Sequence, residues 1–217
     1  MDSAHLCVAG LPLAIYLLGM STLNLTRQPR VSTGARNLAG LAFAIAGFCV
    51  VGPLDLFLPF DAVRHYSTMI WPMLICFYCL CLTLLLLVSR PRLIVYNVRL
   101  EKLRPVLETV ASKLDSDARW AGDSLHLPQL GVQLHLDEFR PLRNVSLMPV
   151  GEQQSFIGWR RLQTELSMAL KQIEVRPNRY GFLMLGLGFA LLICPIVLVA
   201  TNPVKVAQQL LDLFRLS

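Results

Sequence analysis

Apolar residues gather in four stretches along this chain, three of them before residue 90 and the fourth near residue 190. Between the third and the fourth, polar and apolar positions interleave at short periods. The stretches at 6–25, 38–58, 68–88 and 179–201 each run to about 20 residues, the length an α-helix needs to cross a hydrocarbon core of about 30 Å. The first, LCVAGLPLAIYLLGMSTLNL, contains no ionisable residue, and the second would be free of charge but for Asp55. The fourth carries Tyr180 at its flank, where an aromatic ring favours the headgroup region. A cleaved signal peptide competes for the first stretch. Its opening residues, MDSAHLC, hold no Lys or Arg, whereas a signal n-region is normally positive, so a membrane span is expected.

The intervening segment, 91–178, reads as a small folded domain. Leu93-Ile94-Val95-Tyr96 is β-branched and aromatic, a strand signal. Leu100, Leu103, Leu107, Val110 and Leu114 recur at helical spacing, and Pro105 predicts that the regular helix opens there or that its first turns are irregular. Short alternating runs follow. Arg119–Ala121 and Ser124–Leu127 flank Gly122-Asp123, a hairpin signal, and a two-residue loop at Leu130-Gly131 leads into Val132–Leu136. A further strand is expected over 145–148. A helix over 153–175 places Phe156, Trp159, Leu166, Leu170 and Ile173 on one stripe.

The fold class that follows is a membrane protein with about four transmembrane α-helices plus a small α+β domain, β-α-β-β-β-β-α with an antiparallel sheet, inserted between the third and fourth helices. In domain terms, 1–90 holds three spans, 91–178 the domain, 179–201 the fourth span, and 202–217 an amphipathic helix lying in the interface. In that last helix Val204, Ala207, Leu210, Leu211 and Phe214 oppose Lys205, Gln208, Gln209, Asp212 and Arg215. Small residues in the spans, Gly40 and Gly47 in the second and Gly186 with Ala190 in the fourth, predict close helix packing.

Charge sets the expected sidedness. Short loops rich in Lys and Arg stay on the cytoplasmic side. Arg27, Arg30 and Arg36 fall between the first two spans, Arg90, Arg92 and Arg99 follow the third, and Arg176 and Arg179 precede the fourth. Every basic cluster therefore agrees. The domain is expected in the cytoplasm and both termini outside, in the plasma or bacterial inner membrane. Composition is consistent with this class: 54% hydrophobic residues, 16% charged and a mean hydropathy of +0.54. The net charge of +6 needs no polynucleotide partner, since anionic headgroups attract basic residues beside a membrane and no aromatic-basic interleaving offers a stacking platform.

Candidate chemistry is sparse. The two-residue loop would set His126 opposite His135, with Asp137 further along the same face, a set that could ligate zinc or copper if a fourth ligand were near. All six cysteines belong to apolar stretches or their edges, and Cys76 and Cys79 read as packing residues rather than a redox pair. Asp55 is the one acid within a span and the intramembrane candidate for ion or proton binding; a helix-end acid solvated at the interface is the simpler account. An enzyme would draw on Asp123, Ser124, His126, His135 and Asp137, to which no roles can be assigned, and no cofactor is called for. The expected role is thus a non-enzymatic binding or scaffolding module presented at the membrane surface. Its partners would be the bilayer and a membrane or cytoplasmic protein, or a second copy. A transporter or channel subunit and a membrane-tethered enzyme are the alternatives.

Overall fold

The structure of the chain, a computed structural model, describes residues 3–51, 60–152 and 154–214. Its described elements are α1 (Ser3–Leu25), β1 (Arg30–Thr33), α2 (Gly34–Cys49), α3 (Phe60–Val88), β2 (Leu93–Tyr96), α4 (Leu100–Leu114), β3 (Arg119–Ala121), β4 (Ser124–Leu127), β5 (Val132–Phe139), a 3-10 turn (Arg140–Leu142), β6 (Asn144–Pro149), α5 (Phe156–Leu170), α6 (Arg179–Thr201) and α7 (Pro203–Phe214). They form two compact bodies. One comprises Met1–Gly19, Leu38–Val88 and Met184–Ser217, the other Met20–Asn37 and Ser89–Leu183.

The first body is helical. Among the described residues two helices are long and apolar enough to cross a membrane, His5–Leu25 and Arg179–Thr201. Gly34–Cys49 and Pro72–Val88 are apolar but shorter, so the expectation of four spans is met in two. The second expected span, 38–58, runs into residues outside the described set, Asp55 among them.

Small residues decide how α1 packs. A Cβ on Gly47 would overlap the carbonyl oxygen of Val8 and come within 2.9 Å of the Ala9 Cα, so α2 and α1 meet backbone to backbone there. Gly40 faces the Tyr16 ring more loosely. In α6 the expected pair is displaced: nothing lies within 4 Å of a Cβ at Gly186, whereas one at Gly188 would stand 3.0 Å from the Leu18 side chain. The Tyr78 hydroxyl donates to the Ala42 carbonyl at 2.7 Å, linking α3 to α2. In α7 Val206 is buried, while Val204, expected on the apolar stripe, is exposed. Pro203 opens that helix.

The second body is an antiparallel sheet of six strands in the order β1-β2-β6-β5-β4-β3, with α4 and α5 on one face. Alternation builds its core. Leu93, Val95, Leu125, Leu127, Val132, Leu134, Leu136, Val145 and Leu147 point to the helices, which answer with Leu103, Leu107 and Val110 from α4 and Trp159, Leu162, Leu166 and Leu170 from α5. Each leucine fully withdrawn from water contributes roughly 1.5–3 kcal/mol, enough together for a domain of this size to hold its own fold.

Four features differ from the expectations. Strand β1 was not foreseen: it comes from the segment between α1 and α2 and pairs with β2, Arg30 opposite Tyr96 and Thr33 opposite Leu93. Helix α4 runs unbroken from Leu100 through Pro105. The proline sits on the helix's exposed face, where water can take the carbonyl left without an amide partner. Helix α5 is shorter than expected, Ser155 capping its start by accepting from the Gly158 amide at 3.2 Å, and Phe156 lies outside the buried stripe with 71% exposure.

The β4–β5 connection is the fourth difference. It spans Pro128 to Gly131, so Leu125 pairs with Leu134 and Leu127 with Val132, a register two residues from the one expected. The buried Asp115, at the C-terminus of α4, organises this turn. Its carboxylate accepts from the Asp117, Gln129 and Leu130 amides at 2.9, 2.8 and 3.4 Å. A two-residue shift keeps the same side chains facing inward, which is why the core survives it.

Candidate functional site

The register removes the most specific chemical candidate. His126 pairs with Gln133, and His135 pairs with Ser124, whose Oγ lies 3.1 Å from the His135 Nδ1. Among the described residues no group of three or more His, Cys, Asp or Glu is placed to hold a metal ion. The Ser124–His135 contact is exposed on the open sheet face. Asp123 is engaged by Arg104 at 3.3 Å, and among the described residues Asp137, opposite Ser146, makes no bond to His135. Nucleophile, base and orienting acid are thus not assembled. The cysteines described, Cys7, Cys49, Cys76, Cys79, Cys81 and Cys194, are all free thiols.

A different cluster does assemble, where the chain enters and leaves the domain. Arg27 lies just beyond the end of α1, and Arg176 just before the start of α6. The segments carrying them bond to each other: the Val175 amide donates to the Arg27 carbonyl at 2.7 Å, and the Asn178 amide to the Asn24 carbonyl at 3.0 Å. Beside them is a cleft of about 730 Å³ lined by Arg27, Arg99, Lys102, Arg143 and Arg176, with Glu101 and Glu174 as its acids. That volume falls within the range of small-molecule sites.

Two local conformations shape the cleft wall. Asn97 (φ 57°) and Arg143 (φ 50°) are the only described non-glycine residues with positive φ. Asparagine tolerates this region; for arginine it costs about 1–2 kcal/mol. Both are held from several sides. The Val98 amide donates to the Arg143 carbonyl at 2.6 Å, the Asn97 amide to the Asn144 Oδ1 at 3.3 Å, and the Asn97 Nδ2 to the Thr26 carbonyl at 2.8 Å. Asn97 is 1% exposed, and its Oδ1 has no partner among the described residues. Arg143 closes the 3-10 turn after β5, its guanidinium reaching the Arg176 carbonyl at 3.4 Å.

The cations around this cleft outnumber its acids, five to two. Among the described residues the ion pairs are Arg104 with Glu108 and with Asp123, Lys113 with Glu165, and Arg140 with Glu138. None of the five cleft cations is in that set. Helix α4 also opens there, with Arg99 at its N-cap, and the amide of its first residue, Leu100, donates to the Glu138 carboxylate at 3.3 Å.

Of the basic residues expected at the membrane surface, the fold brings Arg27 and Arg176 together and spreads the rest. Arg30 begins β1, the Arg92 side chain crowds Gly34, the Arg36 amide donates to Thr33 Oγ1 at 3.3 Å, and Arg90 and Arg179 are exposed. Arg99 was expected only as a basic residue after the third span; Lys102 and Arg143 were not foreseen, and no local signal marks them, because α4 carries the one and the turn after β5 the other. Compared with protein-family models, curated proteins and solved structures, the chain gives no match.

Proposed function

We propose that the chain is a multi-pass integral membrane protein whose α+β domain is a non-enzymatic binding or scaffolding module held at the cytoplasmic membrane surface. On this reading α1, α2, α3 and α6 are four spans, the basic loops and the domain are cytoplasmic, both termini are outside, and α7 lies in the outer interface. Its partners are the bilayer and a protein docked on the domain or a second copy of the chain.

One observation carries the reading. The sheet takes its edge strand β1 from the short basic segment between two apolar helices, and a third apolar helix leaves from a segment bonded to the same region. A freely tethered domain would need no such stitching; one that works at the headgroups is served by it.

A reporter enzyme active only in the cytoplasm, inserted near Gly151, is expected to be active, and the same reporter fused after the last residue silent. The opposite pattern overturns the sidedness. Purified chain in liposomes is expected to carry no ion current. A steady conductance would transfer the assignment to a channel or transporter subunit.

A further inference from the structure

We propose that the cleft lined by Arg27, Arg99, Lys102, Arg143 and Arg176 binds a phosphate-bearing anion, supplied either by a lipid headgroup or by a soluble phosphate ester. The assignment of a lipid source rests on the membrane-surface reading above. The shared chemistry does not.

Five cations share the rim of one cleft with only two carboxylates, and none of the five is ion-paired among the described residues. Like charges gathered around a concave surface raise its potential and repel one another, a cost that a bound polyanion relieves. Four of the five are arginines, whose planar guanidinium forks fit phosphate oxygens two at a time. These contributions come from separate stretches of chain and converge on one volume.

The wall is also stiff in a way that a solvated charged surface does not require. Arg143 is held in the left-handed region and Asn97 beside it is fixed by three bonds, counting that from the Val98 amide to Arg143. Held backbone at a concave site positions side chains in advance, so less freedom is lost when a ligand arrives. Arg27 and Arg176 stand within a few residues of apolar helix ends, the depth at which lipid phosphates lie when those helices span a bilayer.

The test uses full-length protein in nanodiscs of phosphatidylcholine, with and without phosphatidic acid, and in neutral detergent titrated with inorganic phosphate or glycerol phosphate. Lipid retention is read by native mass spectrometry, and soluble ligands by calorimetry. Phosphatidic acid is expected to be retained at least tenfold over phosphatidylcholine, and the double variant Arg143→Gln/Arg176→Gln to lose that preference while melting at the same temperature. Arg161→Gln, which removes an exposed arginine elsewhere in the domain, is expected to keep it.

If the soluble phosphates bind as tightly as the lipid, the site stands and its source is a phosphate ester. If only the lipid binds, the site stands and its source is the headgroup. No preference for any phosphate, or an equal loss in Arg161→Gln, overturns the proposal in favour of diffuse surface charge. The reporter experiment fails independently: a domain found outside the cytoplasm sinks the orientation and leaves binding in detergent as measured, and the reverse also holds.

Discussion

The two sides of the sheet treat charge and backbone strain in opposite ways. On the β3–β4 side, the turn that needs a positive φ has a glycine, Gly122 (φ 62°). The cation that guards that turn is satisfied: Arg104 donates to the Gly122 carbonyl at 2.9 Å, pairs with Asp123 and Glu108, and lies 5.1 Å from the centroid of the Trp120 ring. On the β2–β6 side, the left-handed positions hold Asn97 and Arg143, and the five cations beside them outnumber the cleft's two acids and form no ion pair among the described residues. One side is arranged as a structural turn should be. The other keeps strain and charge that stability alone would remove, a pattern found where proteins bind.

The largest effect expected from breaking this contrast is at Asp115. Asp115→Ala leaves the Gln129 and Leu130 amides without their acceptor in a part-buried turn, and should lower stability by about 1–3 kcal/mol, read as a drop in the melting temperature of the full chain. A milder, mirror-image pair sharpens it. Gly122→Ala places a Cβ at positive φ and should cost about 1 kcal/mol, while Arg143→Gly relieves the same conformation and should gain about 1 kcal/mol while weakening phosphate binding. If Arg143→Gly melts lower, the strain on the cleft wall is not real. The smallest effect is at Arg104: its pairs are about half-exposed, so Arg104→Gln should cost below about 1 kcal/mol, with the loss shrinking in high salt.

Much of the fold was legible in the residues. The hairpin at Gly122-Asp123 and the stripe of α4 follow from turn chemistry and helical period, which are local properties. What escaped was decided at a distance. Arg30-Val31-Ser32-Thr33 has too short a pattern to declare a strand, and it becomes one only because β2 offers a free edge. The β4–β5 register depended on Asp115, more than ten residues upstream, capturing the Gln129 amide. Phe156 belongs to the helical period of α5 by number, yet stands at its first turn, beyond the reach of the sheet. Of the cleft, Arg27 and Arg176 were visible as charges flanking apolar stretches. Lys102 and Arg143 lie on separate elements, and only the fold brings them to one rim.

Strand β1 also bears on how the chain must be made. It precedes α2 and α3, yet its partner β2 follows them, so the edge of the sheet is laid down before the body it completes. Pairing that waits on distant residues is slow. Until it happens, β2 presents an open row of amides and carbonyls, a template for a neighbouring chain. Residues 89–183 expressed without that earlier segment would carry the exposed edge permanently, and their tendency would be to pair with one another.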